Sequence, residues 1–217
     1  MTTKIFLAYN DEDISAFQHP DIIPIKLDQT EYFESEIFRM LTPDMIPEAD
    51  NIGIITPSLF KKVPGITIDS LFTKNPDPFV KLLLWQEHIP ADVLAVRYHG
   101  NMYMVINTWL FEQLKFPLSI VNNFKGFYCN LWITKRSLFL EYLEVAKRAI
   151  KHLDSPPSHI QNMLTTDPLY RGKLMRTGIL EKRFRKPYYP WQPFIMERLI
   201  CAFAHLKETT DLNFSKE

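Results

Sequence analysis

Tyr9-Asn10-Asp11, Thr56-Pro57-Ser58, Arg97-Tyr98-His99 and Asn130-Leu131-Trp132 each stand at the end of a short apolar run. An aromatic ring can stack on a planar group, and an amide offers both donor and acceptor. The Arg97 guanidinium can grip a diphosphate as a planar fork, and His99 flanks the same tyrosine just ahead of Gly100-Asn101. Gly100 there would permit close backbone approach. Lys61 and Lys62 could meet phosphates as point charges. Asn130 and Trp132 lie two apart, so a strand would put them on one face, an arrangement that suits a sugar ring. Such a set could receive a base, a phosphate and a sugar. Each member also has a plainer reading: polar residues end strands everywhere, paired lysines are usually solvated, and tryptophan is ordinary core filling.

These residues need elements to hold them. Lys4 to Tyr9, Asn51 to Pro57, Asp92 to Tyr98 and Gly126 to Thr134 read as buried strands. Ile22 to Leu27 reads as a further strand whose Pro24 suits a sheet edge. Tyr32 to Leu41 is predicted helical, with Phe33, Ile37 and Leu41 four apart, and Thr42-Pro43 ends it. Helices are also expected over Phe79 to His88, Val105 to Leu114, Lys135 to Leu153 and, as a final amphipathic one, Pro193 to Leu206. Ser158 to Lys186 is basic and less patterned, and residues 208–217 read as a frayed polar tail. Strands alternating with helices predict an α/β fold with a mostly parallel central sheet flanked by helices, in one domain over 1–217. Ligands of such sheets collect beyond the carboxyl ends of the strands.

Composition narrows the choice. The 25 basic residues balance the 25 acidic ones, which argues against a nucleic-acid-binding protein. The basic run Lys182 to Lys186 beside aromatics is the feature that speaks for one. With 6 glycines there is little to build phosphate-cradling loops, and neither GxxxxGK[ST] nor GxGxxG occurs. Cys129 and Cys201 make neither a disulfide scaffold nor a cysteine-rich zinc site, which fits a reducing compartment. No apolar run approaches a membrane span, and MTTKIFLAYN lacks the pattern of a signal peptide. A cytoplasmic protein is expected, in the host cytoplasm if the chain is viral.

The order KIFLAYN, YFESEIF, ADNIGIITPSLFKK resembles the start of small GT-A-type glycosyltransferase-like proteins of bacterial capsule clusters and of large DNA viruses, the chlorovirus-like ones among them. FYCNLWITKRSLFLEYLEVAKRAI is similar to that family's N-M-F-I-M strand and the K-x-L-F-x-x-Y helix after it, and FIMERLICAFAHL to its closing helix, with Glu197-Arg198 at the paired Glu-Arg. The resemblance implies a GT-A, nucleotide-diphospho-sugar transferase-like fold and transfer of a sugar, most naturally from a UDP-sugar, to a hydroxyl of a glycan or glycoprotein. It implies Tyr9 and Asn10 against a uracil, with Thr56, Lys62, Arg97, His99, Asn130 and Trp132 around the donor. Glu197 would be the base toward the acceptor hydroxyl; its alternatives are a helix-dipole acid or an ion-pair partner of Arg198. His205 would be a metal ligand, or else a packed helix histidine.

Many GT-A enzymes hold Mn²⁺ or Mg²⁺ through an Asp-x-Asp after a central strand, because a hard cation needs oxygen ligands. Here Thr56-Pro57-Ser58 follow that strand, where the bacterial branch has a His-Tyr-Arg-Arg-type stretch. Asp11-Glu12-Asp13 has acids two apart but follows the first strand and reads equally as a solvated loop or cap. Cations could neutralise the leaving diphosphate instead. The departures leave a rival open: a non-catalytic glycan- or protein-binding module on the same fold.

Overall fold

A computed structural model of the chain describes residues 1–28, 31–73, 79–80, 100–120, 130–165 and 190–214. The apolar run of β1 (Thr3–Tyr9) is buried on both faces and stands inside a five-stranded sheet of order β2-β1-β3-β5-β4. β2 (Ile22–Lys26) and β3 (Asn51–Ile55) run parallel to β1. β5 (Trp132–Lys135) is antiparallel both to β3 and to the two-residue β4 (Phe79–Val80). The architecture is α/β with a mixed sheet flanked by helices.

Two details explain the strand positions. Leu27 donates its N–H to the Tyr9 carbonyl at 2.7 Å, so by alternation Pro24 sits at an outward-facing position of β2. Its missing N–H costs no ladder bond there, and the proline blunts the sheet edge. Within β3, a Cβ on Gly53 would lie 3.2 Å from the Trp132 carbonyl oxygen and 3.4 Å from Ile5, so glycine permits the close approach of β5.

The two sheet faces are covered differently. Phe6, Ala8, Ile52, Ile54 and Trp132 face a deep core built by α1 (Ile37–Met40), α4 (Gly100–Leu114), α5 (Arg136–Asp154), α6 (Ser158–Leu164) and α7 (Gln192–Phe214). Ile5, Leu7, Ile55 and Ile133 face a shallow core closed by the 3₁₀ turn Ser15–Phe17, α2 (Leu59–Lys62) and α3 (Ile68–Phe72).

Several expectations change. Tyr32 to Leu41 is not one helix: a 3₁₀ turn over Phe33–Glu36 precedes α1, and Phe33 enters it at φ 49. Phe79–Val80, expected to open a helix, pair with β5, because a short continuous apolar run carries no period that separates strand from helix. The expected strand 92–98 lies outside the described residues. Of the strand expected over 126–134, residues 126–129 lie outside the described ones, Asn130 and Leu131 are not strand, and β5 begins at Trp132 and runs antiparallel; burial reveals a strand but not its direction. α6 occupies the start of the stretch read as unpatterned. α7 reaches Phe214 and is buried on nearly every side from Trp191 to Ala204, so it is a core helix and not an amphipathic one.

Candidate functional site

The β1–β2 connection places Ile14 and Phe17 in the shallow core, while the β2–β3 connection places Tyr32, Ile37, Phe38 and Ile46 in the deep one. The two crossovers therefore cover opposite faces of the sheet, and the strand order reverses at β1. Ligands of such sheets collect beyond the carboxyl ends of the strands, here those of β1 and β3. Because Trp132 lies opposite Ile54, antiparallel β5 enters the sheet from this same edge. Tyr9-Asn10, Thr56 and Asn130 are thus gathered at one edge.

Local bonds set what each presents. Tyr9 and Asn10 are half-buried. The Asn10 N–H bonds to Glu12 Oε2 at 2.8 Å, and its Oδ1 is buried with no hydrogen-bond partner. Thr56 is buried, and its hydroxyl shares a 2.6 Å hydrogen bond with that of Ser58. Lys62 lies one turn further on, in the last turn of α2.

Asn130 stands at φ 46, in the left-handed region that asparagine tolerates better than most residues. It turns the chain into β5 instead of continuing it, so it does not share a strand face with Trp132. Its Nδ2 donates to Ser35 Oγ at 3.0 Å, while its Oδ1 is buried without a partner. Trp132 is fully buried, stacked on Phe38 with centroids 6.3 Å apart and meeting Tyr142 edge-on at 5.6 Å. Its ring faces are core surface, and no sugar reaches them in this arrangement. Arg97 and His99 lie outside the described residues, as do Lys182 to Lys186.

Glu197 sits in the second turn of α7, its side chain 18% exposed, with a carboxylate oxygen 3.6 Å from a guanidinium nitrogen of buried Arg198. The ion-pair alternative is therefore present in the fold. His205 lies two turns further along α7 and is half-buried, remote in sequence from the strand ends.

The acids of the first loop do not form a metal cradle. Asp13 accepts from the Ser15 N–H at 2.9 Å and from its hydroxyl at 3.1 Å, and those bonds hold its carboxyl below the ordinary range. Glu12 is bonded to Asn10, and Asp11 pairs with Lys26 at 3.4 Å. Among the described residues no three His, Cys, Asp or Glu side chains converge as metal ligands. The Asp11-Glu12-Asp13 stretch thus fits a cap and turn better than a shared Mn²⁺ or Mg²⁺.

The structure also brings in residues that sequence reasoning passed over. Gln192, at the start of α7, donates Nε2 to Glu31 Oε2 at 3.1 Å, and its Oε1 is buried without a partner. Glu31 and Ser35 belong to one stretch after β2, which a clamp holds in place. Tyr32 donates its hydroxyl to Asp154 at 3.0 Å, and Arg39 grips Asp154 through two bonds of 2.6 and 3.1 Å. Arg39 also reaches Glu36 at 2.9 Å and lies over the Tyr32 ring at 5.0 Å. Arg39 holds the Asp154 carboxyl below its usual range, while burial first and the Asp154 charge second push the Tyr32 hydroxyl up. No spacing in the sequence announces these contacts: Ser35 and Asn130 are 95 residues apart, and Glu31 and Gln192 are 161 apart.

No helix among the described residues is long and apolar enough to cross a membrane. Compared with protein-family models, curated proteins and solved structures, the chain has no match.

Proposed function

We propose that the protein binds a nucleotide-sugar, most naturally a UDP-sugar, at the carboxyl edge of β1 and β3, and moves the sugar to a hydroxyl of a glycan or glycoprotein. The supporting observation is the reversal of strand order at β1, with Tyr9-Asn10 and Thr56 at the two strand ends that flank it. Tyr9 supplies a ring for a base and Asn10 a buried carbonyl oxygen in want of a donor, such as the N3–H of uracil. The Thr56 and Ser58 hydroxyls can donate to phosphate oxygens, and Lys62, one turn on, adds positive charge. Stabilising the departing diphosphate is the main catalytic demand, and Arg97 is the further cation the sequence offers for it. The family resemblance supplies the transfer step, and Glu197, which follows the aromatic stretch Tyr188 to Trp191 in the sequence, is the candidate base that takes the acceptor proton.

Binding without transfer is the second reading, and two observations favour it. The hydroxyls of Thr56 and Ser58 follow the central strand where acids would hold a metal, and Glu197 is paired with Arg198. A thermal-shift panel of UDP, UDP-sugars, ADP and ATP, each with and without Mn²⁺, tests the common premise. The uridine ligands should raise the melting temperature more than the adenine ones, by mass action on the folded state. Equal or absent shifts at millimolar ligand would overturn the nucleotide-sugar reading. Hydrolysis or transfer of the bound donor then separates enzyme from binding module.

A further inference from the structure

A hydroxyl residue is followed by proline at Thr42-Pro43, Thr56-Pro57 and Ser155-Pro156, and the fold treats the three hydroxyls differently. Thr56 is 1% exposed and bonded to Ser58 at 2.6 Å. Thr42 is half-buried, and its side chain holds the Asp44 carboxyl below the ordinary range. Ser155 is exposed, and among the described residues its hydroxyl has no hydrogen-bond partner. It caps the C-terminus of α5 at φ −138 and ψ 58, and its N–H makes a long 3.3 Å bond to the His152 carbonyl. Pro156 and Pro157 follow, with no N–H to tie the turn, before α6 begins at Ser158. Buried Leu153 and Ile160 anchor the step on either side, so the stretch between them can be drawn into an enzyme's groove without opening the core.

The charges around Ser155 say what an added group would do. Lys151 and His152 stand in the last turn of α5, and Arg39 grips the neighbouring Asp154 through two bonds while also reaching Glu36. Both carboxylates already share the Arg39 guanidinium. A phosphate on Ser155 brings about −1.5 to −2 charges and three acceptor oxygens, one residue away from Asp154. It outbids a carboxylate for a guanidinium, because it offers more charge and more acceptors to the same planar fork.

We propose that Ser155 is a phosphorylation site for a protein kinase that reads a Ser-Pro step, and that the phosphate draws Arg39 away from Asp154. The Ser155 Oγ attacks the γ-phosphorus of ATP. The Oγ–P bond forms, the bond to the β-phosphate oxygen breaks, the hydroxyl proton passes to the kinase's catalytic aspartate, and ADP leaves. The effect falls on the 3₁₀ turn Phe33–Glu36, because Tyr32 and Arg39 stand on either side of it and are moored to α5 through Asp154. The inference does not use the nucleotide-sugar reading and stands or falls without it.

The test incubates the full chain with a purified proline-directed protein kinase and Mg-ATP, with Ser155→Ala and a synthetic peptide of residues 150–160 alongside. Mass spectrometry should place one phosphate on Ser155 of the folded chain, none on Thr42 or Thr56, and none on the variant. Hydrogen exchange of the phosphorylated chain should then quicken over residues 33–41 by about fivefold, the worth of a partly exposed ion pair, and stay unchanged in the treated variant. A peptide that is labelled while the folded chain is not would show that the fold closes the site, and the proposal falls. A chain and peptide that both stay unlabelled overturn it as well, as does equal labelling of the Ser155→Ala variant. Ser155 labelled with exchange over 33–41 unchanged also overturns it, since the phosphate then leaves Arg39 where it is.

Discussion

The two faces of the sheet are built to different depths. On one, Trp132 and Phe38 interlock with Phe139 and Tyr142 of α5, with Trp191, Leu199 and Phe203 of the α7 region continuing the same core. On the other, among the described residues, Phe17, Leu59 and Leu71 come from elements of three to five residues and pack on Ile5, Leu7, Ile55 and Ile133. A groove of about 470 Å³ stays open on that side between Leu7, Phe17, Ile22 and Pro24. A five-residue helix hides little surface, and short helices hold their shape through packing more than through their own hydrogen bonds. The deep face therefore carries most of the stability that the described residues show. It also supplies the pinned stretch from Glu31 to Ser35 at the site.

The largest expected effect comes from removing one large aromatic side chain from each face. Trp132→Ala should destabilise by about 3–5 kcal/mol, the range for deleting a fully enclosed large aromatic. Phe17→Ala, at the rim of the shallow core and stacked only on Phe60 in the same cover, should cost less than about 3 kcal/mol. Chemical denaturation of both variants measures the contrast. Equal losses would mean that the shallow face bears as much of the fold as the deep one.

Gly53→Ala sharpens the comparison from within the sheet. Its Cβ would point at Ile5 and Ile133 on the shallow face and meet the Trp132 carbonyl at 3.2 Å. Since a backbone oxygen cannot swing aside like a side chain, about 1–3 kcal/mol should be lost through strain. An unchanged denaturation midpoint would show that β3 and β5 can separate slightly without penalty.

The smallest effect belongs to the clamp on the deep side. Both Asp154 and Arg39 are more than a third exposed, so Asp154→Asn should cost no more than about 1 kcal/mol at neutral pH. The sign in pH follows from the depressed carboxyl. The folded value lies below the ordinary 3.8, so the contribution is present above that pH and is lost as the pH falls through the folded value. Acid titration of stability should show a steeper loss below pH 3.8 in wild type than in the variant. Identical acid limbs would remove the pair as a source of stability.

Much of this was readable in the residues. The stretches Ile5 to Tyr9 and Ile52 to Ile55 are buried strands because a central strand hides five or four consecutive apolar positions on both of its faces, and Pro24 marks an edge because it cannot donate. The three- and four-residue steps of Lys135 to Leu153 give α5, Arg136–Asp154, to within one residue at each end. Tyr9, Asn10 and Thr56 could be placed at strand ends from the same pattern. What the chain could not announce locally is direction and long-range partnership. Whether β5 runs with or against β3 leaves its own apolar positions unchanged, so the antiparallel entry that brings Asn130 to the site was decided by tertiary packing. The same holds for Trp132, whose indole is equally suited to a sugar and to a core until Phe38, Phe139 and Tyr142 close around it. Glu31 with Gln192 and Ser35 with Asn130 are ordinary polar residues in the sequence, because a hydrogen bond between segments 95 or 161 positions apart leaves no local period to read.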